Sequence, residues 1–119
     1  MMPGQLRNSP ALDSIIQSVA HISGLEKTHF HRGDFLFVRT RNSTYCIHAL
    51  GNNTYEVAGG WFDKKGLSPM KTTIVGCTWG GSVIMTGFAA ACGLCLEFGN
   101  RLVTTPVSRI HLVRREQQN

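Results

Sequence analysis

The residues of this sequence best suited to metal ligation or nucleophilic chemistry are four cysteines and five histidines. Cys92 and Cys95 have the CxxC spacing that zinc sites use. In a strand, however, residues i and i+3 point to opposite faces, and Cys46 and Cys77 form no second pair. Because apolar residues surround these cysteines, we predict four free, mostly buried thiols, with no metal or other cofactor bound.

A second candidate metal site is His29-Phe30-His31, because alternate residues of a strand project two imidazoles to one side. Asp34 follows closely and could supply a carboxylate ligand. The neighbouring residues are polar or flexible. We therefore predict that residues 29–33 form a solvated linker instead of a metal site.

The sequence contains few side chains that are suited to acid–base or nucleophilic catalysis. The carboxylates form no close pair, and neither a Gly-x-Ser-x-Gly segment nor a glycine-rich phosphate loop occurs. We therefore predict that the protein is not an enzyme. A hydrolytic site that pairs Cys77 or Cys95 with His48 stays as an alternative, because such partners are often distant in sequence.

Cationic and aromatic side chains are interspersed through the middle of a chain whose formal charge is +5. Small β domains bind single-stranded nucleic acid by combining cations that meet phosphates with exposed rings that stack on bases. Arg109, His111 and Arg115 alternate along the last predicted strand and either extend such a basic surface or only blunt a sheet edge. The candidate binding residues are Arg39, Arg41, Tyr45, Trp61, Lys64, Lys65 and Trp79.

These residues predict a non-catalytic binding module, and the sequence leaves its ligand class open. A single-stranded nucleic acid or another anion fits the charge, whereas a protein partner needs only an open sheet edge or an apolar groove. A small-ligand pocket near Trp61 and Trp79 is a further alternative.

Length and composition limit the architecture that must position these residues. A chain of 119 residues with 42% hydrophobic and 16% charged residues predicts one globular domain. The uncharged stretch from Thr72 to Leu96 is long enough to cross a bilayer, but its glycines and β-branched residues favour buried strands. The N-terminus lacks the apolar stretch of a secretory signal. We therefore expect a cytoplasmic protein that makes no membrane contact.

One amphipathic helix is predicted over residues 10–23, within an N-terminal segment of residues 1–28. Ser9 can cap this helix and Gly24 can end it. We expect the helix to pack on the domain or on a second copy of the protein, which would make a homo-oligomer. Its apolar stripe consists of Leu12, Ile15, Ile16, Val19 and Ile22.

Short apolar runs separated by turn residues fill positions 34–113, and residues 114–119 follow as a tail. Three of the runs, over residues 34–40, 44–50 and 54–58, form a predicted meander. Gly80-Gly81 and Gly99-Asn100 predict two further hairpins, and residues 107–113 form the last predicted strand. The fold class is therefore mainly β. A small SH3-like barrel or a curled antiparallel sheet of about seven strands is our prediction, with a β-sandwich as the alternative.

Several short segments of this β region together resemble a set of small uncharacterised bacterial proteins. The resemblance covers residues 34–113 and implies a β-rich fold. It implies no activity, because its glycine and turn residues fix backbone geometry. The segments are Thr40–Tyr45, Gly59–Phe62, Gly76–Ser82, Leu96–Phe98 and Thr104–Val107, followed by Ile110.

Overall fold

The computed structural model describes residues 19–80 and 83–115, which form eleven strands and one short α-helix. A single 3₁₀ turn spans Lys27–His29. The elements are β1 (Val19–Ile22), β2 (Gly24–Glu26), β3 (Phe35–Thr40), β4 (Thr44–Gly51), β5 (Thr54–Gly59), α1 (Gly60–Lys64), β6 (Met70–Thr72), β7 (Ile74–Thr78), β8 (Ile84–Met85), β9 (Phe88–Ala91), β10 (Cys95–Phe98) and β11 (Val107–Val113).

A six-stranded antiparallel sheet forms the largest layer, in the order β1-β11-β3-β4-β5-β6. Strict alternation of side chains fixes its two faces. In β3, Leu36, Val38 and Thr40 are buried, whereas Phe37 and Arg39 are exposed. The sheet therefore has one face in the core and one outer face.

The core lies between the inner face of this sheet and two smaller sheets, β10-β7-β8 and β2-β9. Aromatic rings pack edge to face at one end of it, with ring centroids 6.1 Å apart for Tyr45 and Phe62 and 5.4 Å apart for Phe62 and Phe98. The largest fully buried side chains are Phe62, Phe98, Leu36, Ile47, Ile74, Leu96, Ile110, Val38, Val57 and Cys77.

The predicted mainly β fold is confirmed, but the described strands do not close into a barrel. The six-stranded sheet ends at β1 and β6, and three separate sheets are present. The predicted hairpin around Gly99-Asn100 forms one bridge, Glu97 to Val103, on one edge of β10, while the other edge of β10 pairs with β7. On the edge of β10 that faces Val103, the Thr104 hydroxyl accepts a hydrogen bond from the Leu96 N–H at 3.0 Å. In a regular strand pair, a backbone carbonyl would accept this bond.

The predicted N-terminal helix over 10–23 falls mostly on residues 1–18, which lie outside the described residues. Where it overlaps them, the structure has strand β1 instead of helix. β1 pairs with β11 in the register Val19 to Val113 and Ile22 to Ile110. Pairing with a long strand outweighs the local helical pattern over this short stretch. The homo-oligomer predicted through the helix stays a prediction.

Asp34 ties the segment before β3 to the end of β11. It is 3% exposed. Its Oδ2 accepts hydrogen bonds from the backbone N–H of His31 at 2.9 Å and from Nη1 of Arg114 at 2.8 Å. Its Oδ1 accepts the backbone N–H of Arg115 at 3.2 Å. Three charge-assisted bonds to one buried carboxylate fix the position of β3 relative to β11.

Asp34→Asn is expected to lower the free energy of unfolding by about 1–3 kcal/mol, because the amide cannot accept all three bonds. Urea denaturation measures this loss. Glu56→Gln is the matched control, because its carboxylate forms only an exposed 3.9 Å pair with His48 and should change stability by less than about 1 kcal/mol. Equal midpoints for the two variants would contradict this role of Asp34.

Candidate functional site

Most of the predicted binding residues gather at one end of the six-stranded sheet, around the turn of residues 41–43 between β3 and β4. Arg39 precedes this turn, Arg41 lies in it, and Tyr45 follows it. Trp61 and Lys64 approach it from α1 and line a groove together with Tyr45. Lys65 follows α1 and is exposed. Trp79 is 71% exposed at the end of β7.

On the outer face of the sheet, a cavity of about 140 Å³ lies beside the β3–β4 turn. The residues that line this cavity form two neighbouring rows across the sheet. Arg39 of β3 lies opposite Arg109 of β11 and Thr44 of β4, and Phe37 of β3 lies opposite His111 of β11. All five side chains are exposed or half-buried. We call this surface the basic face; its residues are Phe37, Arg39, Thr44, Arg109 and His111.

A β-bulge in β11 sets the position of Arg109. The register shifts between Val107 and Arg109, so that Ser108 is the extra residue and both Ser108 and Arg109 face outward. The Ser108 hydroxyl donates to the carbonyl of Arg39 at 3.1 Å and holds the bulge against β3. Ile110 then returns to the core. The bulge therefore keeps Arg109 directly opposite Arg39.

Arg39 and Arg109 are like charges at opposed positions of neighbouring strands. Such cross-strand pairs lie about 4.5–5.5 Å apart at Cβ and repel each other. In the part of the chain that the structure describes, neither arginine forms an ion pair. No carboxylate is among the residues of the basic face. Opposed like charges of this kind cost stability in the free protein.

Aromatic rings extend the basic face across the outer surface of the sheet. The rings of His21 and His111, which are opposed in register, have centroids 4.8 Å apart. Phe35 stacks on His48 at 4.2 Å with an interplanar angle of 3°. Phe37, between these two pairs, is 38% exposed. Flat rings with a free face are the surfaces on which nucleobases stack.

A second concave surface, of about 190 Å³, lies on the inner side of the same turn. We call it the Trp61 groove; its residues are Thr40, Asn42, Ser43, Tyr45, Trp61, Lys64, Leu102, Val103, Thr104 and Thr105.

Gly59 and Gly60 bring α1 against β4 and so build this groove. Gly59 has φ +96° and Gly60 has φ +48°, which favour glycine. A Cβ at Gly59 would overlap the carbonyl oxygen of Thr44, and one at Gly60 would overlap the ring of Tyr45. The two glycines therefore allow the chain to cross the Tyr45 ring at close contact, with Trp61 next in sequence.

Tyr45 is only 4% exposed, so its ring belongs to the core instead of forming a stacking surface. Tyr45 also lines the Trp61 groove, and its hydroxyl accepts the backbone N–H of Trp61 at 3.4 Å. Trp61 itself is half-buried and packs edge to face on Phe62, with centroids 5.3 Å apart. Phe37 is the exposed phenyl ring of the basic face, and alternation along β3 could have identified it.

No metal site is evident in the described ranges, where no three histidine, cysteine or carboxylate groups lie together. His31, one of the predicted ligands, instead meets Nη1 of Arg114 through its Nδ1 at 3.1 Å. A guanidinium only donates, so Nδ1 accepts this bond. Phe30, in the predicted solvated linker, is buried and stacks on Tyr55 at 5.4 Å.

The alternative catalytic pair of Cys77 or Cys95 with His48 is not formed in the part of the chain that the structure describes. His48 lies on the outer face, stacked on Phe35. Cys77 is fully buried in β7. Burial raises the pKa of the Cys77 thiol to about 11, and the charge of Lys27 opposes this only in part. A neutral, buried thiol is a poor nucleophile.

Thiol reactivity should follow this burial. At about pH 8, a thiol reagent is expected to modify the exposed Cys92 first. Cys77 should react only after unfolding, because its pKa of about 11 keeps the thiol protonated and its side chain is inaccessible. Mass spectrometry of time points, with and without denaturant, measures the order. Early modification of Cys77 in the native protein would contradict the structure.

A third cavity, of about 220 Å³, lies near the turn between β4 and β5. Its lysine, Lys27, donates from Nζ to the carbonyl of Val75 at 3.2 Å, and burial lowers the pKa of this amine. Because this cation is already bonded to the backbone, the cavity is less suited to an anion than the basic face is.

No family model, curated protein or solved structure matches this chain. Among the described residues, no helix has the length and apolar character needed to span a membrane.

Proposed function

We propose that the protein binds single-stranded nucleic acid on the basic face, without catalysis and in the cytoplasm. The observation that carries this proposal is the opposed pair Arg39 and Arg109, which has no acidic partner in the described part of the chain. Two guanidinium groups side by side match phosphate oxygens, to which arginine donates in fork geometry.

The neighbouring rings supply the second half of such a site. Phe37 lies next to both arginines, in a row with His111, and presents a partly exposed ring. Bases of a single strand can stack on it, whereas bases of a duplex are already stacked and paired. The combination of phosphate contacts and a free ring therefore favours single strands over duplexes.

A direct binding experiment tests this function. Fluorescence anisotropy of a labelled short single strand should rise on titration with the protein at about 50 mM salt. An unlabelled single strand should compete more strongly than the duplex of the same sequence. No rise in anisotropy at this salt concentration would overturn the proposal.

Stability and binding should change in opposite directions when one arginine is removed. Arg109→Gln relieves the repulsion of Arg39 and is expected to raise the free energy of unfolding by roughly 0.2–1 kcal/mol. The gain should shrink at about 1 M salt, where charges are screened within about 3 Å. The midpoints of urea denaturation at low salt and at about 1 M salt measure this gain in stability. Arg32→Gln is the control, because Arg32 is an exposed arginine outside the basic face. A destabilised Arg109→Gln variant would contradict the repulsion.

A protein contact is the second candidate function, favoured by a different surface. Trp79 is 71% exposed and Val83 is 60% exposed on the two arms of the β7–β8 connection. Neither lines the basic face or the Trp61 groove. Exposed apolar side chains of this size are typical of protein interfaces. Trp79→Ala should therefore leave binding of the single strand unchanged.

A further inference from the structure

The cavity of about 220 Å³ near the β4–β5 turn shares no residue with the basic face or the Trp61 groove. Three of its residues are buried, since Phe30 is 6%, Ala49 is 2% and Tyr55 is 4% exposed. The others are polar residues or glycine and are exposed or half-buried. We call this surface the Tyr55 cavity; its residues are Lys27, Thr28, Phe30, Ala49, Gly51, Asn52, Asn53 and Tyr55.

The hydroxyl of Tyr55 has no hydrogen-bond partner within residues 19–80 and 83–115, although the side chain is more than nine-tenths buried. In the same ranges, every side-chain nitrogen or oxygen that is sealed from solvent has a partner. The unpaired Tyr55 oxygen must therefore reach open space, and the cavity that Tyr55 lines provides it. Polar groups of buried side chains are normally hydrogen-bonded, so this hydroxyl points to a ligand in the cavity.

The polar groups of the Tyr55 cavity are suited to donate hydrogen bonds to a ligand. Burial raises the pKa of the Tyr55 hydroxyl, which therefore stays protonated and can donate at neutral pH. The Lys27 ammonium has three N–H groups, and the Val75 carbonyl accepts from this ammonium at 3.2 Å. The other two N–H groups remain for a ligand, and the amides of Asn52 and Asn53 can donate as well. No carboxylate is among the residues of this cavity.

The size and the apolar part of the cavity restrict the ligand further. Pockets for drug-sized molecules measure roughly 300–1,000 Å³. A cavity of about 220 Å³ therefore fits a smaller molecule. Phe30, Ala49 and the ring of Tyr55 favour a compact apolar body, and the donors favour an oxyanion at one end of it. A strand phosphate lacks such an apolar body.

We propose that the Tyr55 cavity binds a small organic acid with a compact apolar body, whose carboxylate accepts hydrogen bonds from the Tyr55 hydroxyl and the Lys27 ammonium. The two oxygens of a carboxylate can accept from both donors, and charge-assisted bonds of this kind are stronger than neutral ones. This site does not depend on nucleic-acid binding, because the basic face contributes no residue to it.

Benzoate is the probe, since it joins a carboxylate to a compact apolar ring. Benzamide keeps this shape without the charge, and benzylammonium reverses the charge. Each probe is titrated into the isotopically labelled full chain, and NMR follows the backbone amides of Asn52 and Asn53. We expect benzoate to shift these amides and to bind roughly tenfold more tightly than benzamide, with no binding of benzylammonium.

Tyr55→Phe should weaken benzoate binding by roughly five- to tenfold. It should leave the midpoint of urea denaturation unchanged, because the hydroxyl has no partner to lose in the described part of the protein. Tyr45→Phe is the matched control, because Tyr45 is equally buried but its hydroxyl accepts the Trp61 N–H outside this cavity. That variant should keep the parental affinity for benzoate.

Lys27→Met removes the charge, keeps an apolar side chain, and should abolish the preference for benzoate over benzamide. Equal affinities of the parent protein for these two probes would overturn the carboxylate site. So would unchanged benzoate affinity in both Tyr55→Phe and Lys27→Met, or no amide shift with benzoate up to about 10 mM. A loss of benzoate binding in Arg39→Gln with Arg109→Gln, but not in Tyr55→Phe, would place the acid on the basic face and also overturn the proposal.

Discussion

Gly59→Ala is expected to prevent folding or to lower the free energy of unfolding by about 3 kcal/mol or more. The backbone at Gly59 has φ +96° and ψ 177°, a region that only glycine occupies readily. The new methyl group would also overlap the Thr44 carbonyl oxygen, which is backbone and cannot turn aside. Tyr45 pairs with Gly59 in the β4–β5 register, so a shift here disturbs the central sheet.

Gly66→Ala separates the two causes of this loss. Gly66 also has a positive φ, +69°, but a Cβ there would meet nothing within 4 Å. It should cost only about 1–2 kcal/mol, from backbone conformation alone. Urea denaturation of both variants gives the comparison. Similar unfolding midpoints would show that close packing against Thr44 is not what requires glycine at position 59.

Arg39→Gln with Arg109→Gln is expected to weaken binding of a short single strand at least tenfold at about 50 mM salt, because two phosphate contacts are lost. Both side chains are exposed and repel each other, so their loss should not unfold the protein. Anisotropy titrations of the parent and the double variant give the ratio of dissociation constants.

The matched control removes two arginine charges that lie outside the strands and outside the basic face. Arg32 and Arg115 are exposed, and their side chains lie against Gly51 and Gly33, away from the β3–β4 turn. Arg32→Gln with Arg115→Gln should weaken binding by less than about threefold, through net charge alone. If the two double variants lose equal affinity, the protein attracts the strand by overall charge and the basic face has no special role.

Local turn chemistry explains why the meander was predictable from the sequence. Strands were expected over 34–40, 44–50 and 54–58, and the structure has β3, β4 and β5 within one residue of these bounds. Asn52 and Asn53 adopt φ values of +55° and +53° in the second turn, as asparagine permits. β11 was also predicted at its observed bounds, directly after the interruption at Pro106.

Non-local packing explains what the sequence could not show. Burial of the Tyr45 ring depends on α1 crossing it at Gly59 and Gly60, and no local pattern around Tyr45 indicates this. The position of Arg109 opposite Arg39 depends on the bulge at Ser108, which exists only once β11 pairs with β3. The basic face is therefore a product of register. Of its residues, Arg39 was among the candidate binding residues, and Arg109 and His111 were expected to extend a basic surface or to blunt a sheet edge.

The salt dependence of single-strand binding tests the central claim most directly. Each phosphate contact contributes about 0.7 to the slope of log affinity against log salt concentration for a single strand. We expect affinity to fall steadily between about 50 and 200 mM salt, and the slope of Arg39→Gln with Arg109→Gln to be shallower by about 1.4. An unchanged slope in this variant, or binding that does not depend on salt, would contradict phosphate recognition by the opposed arginines.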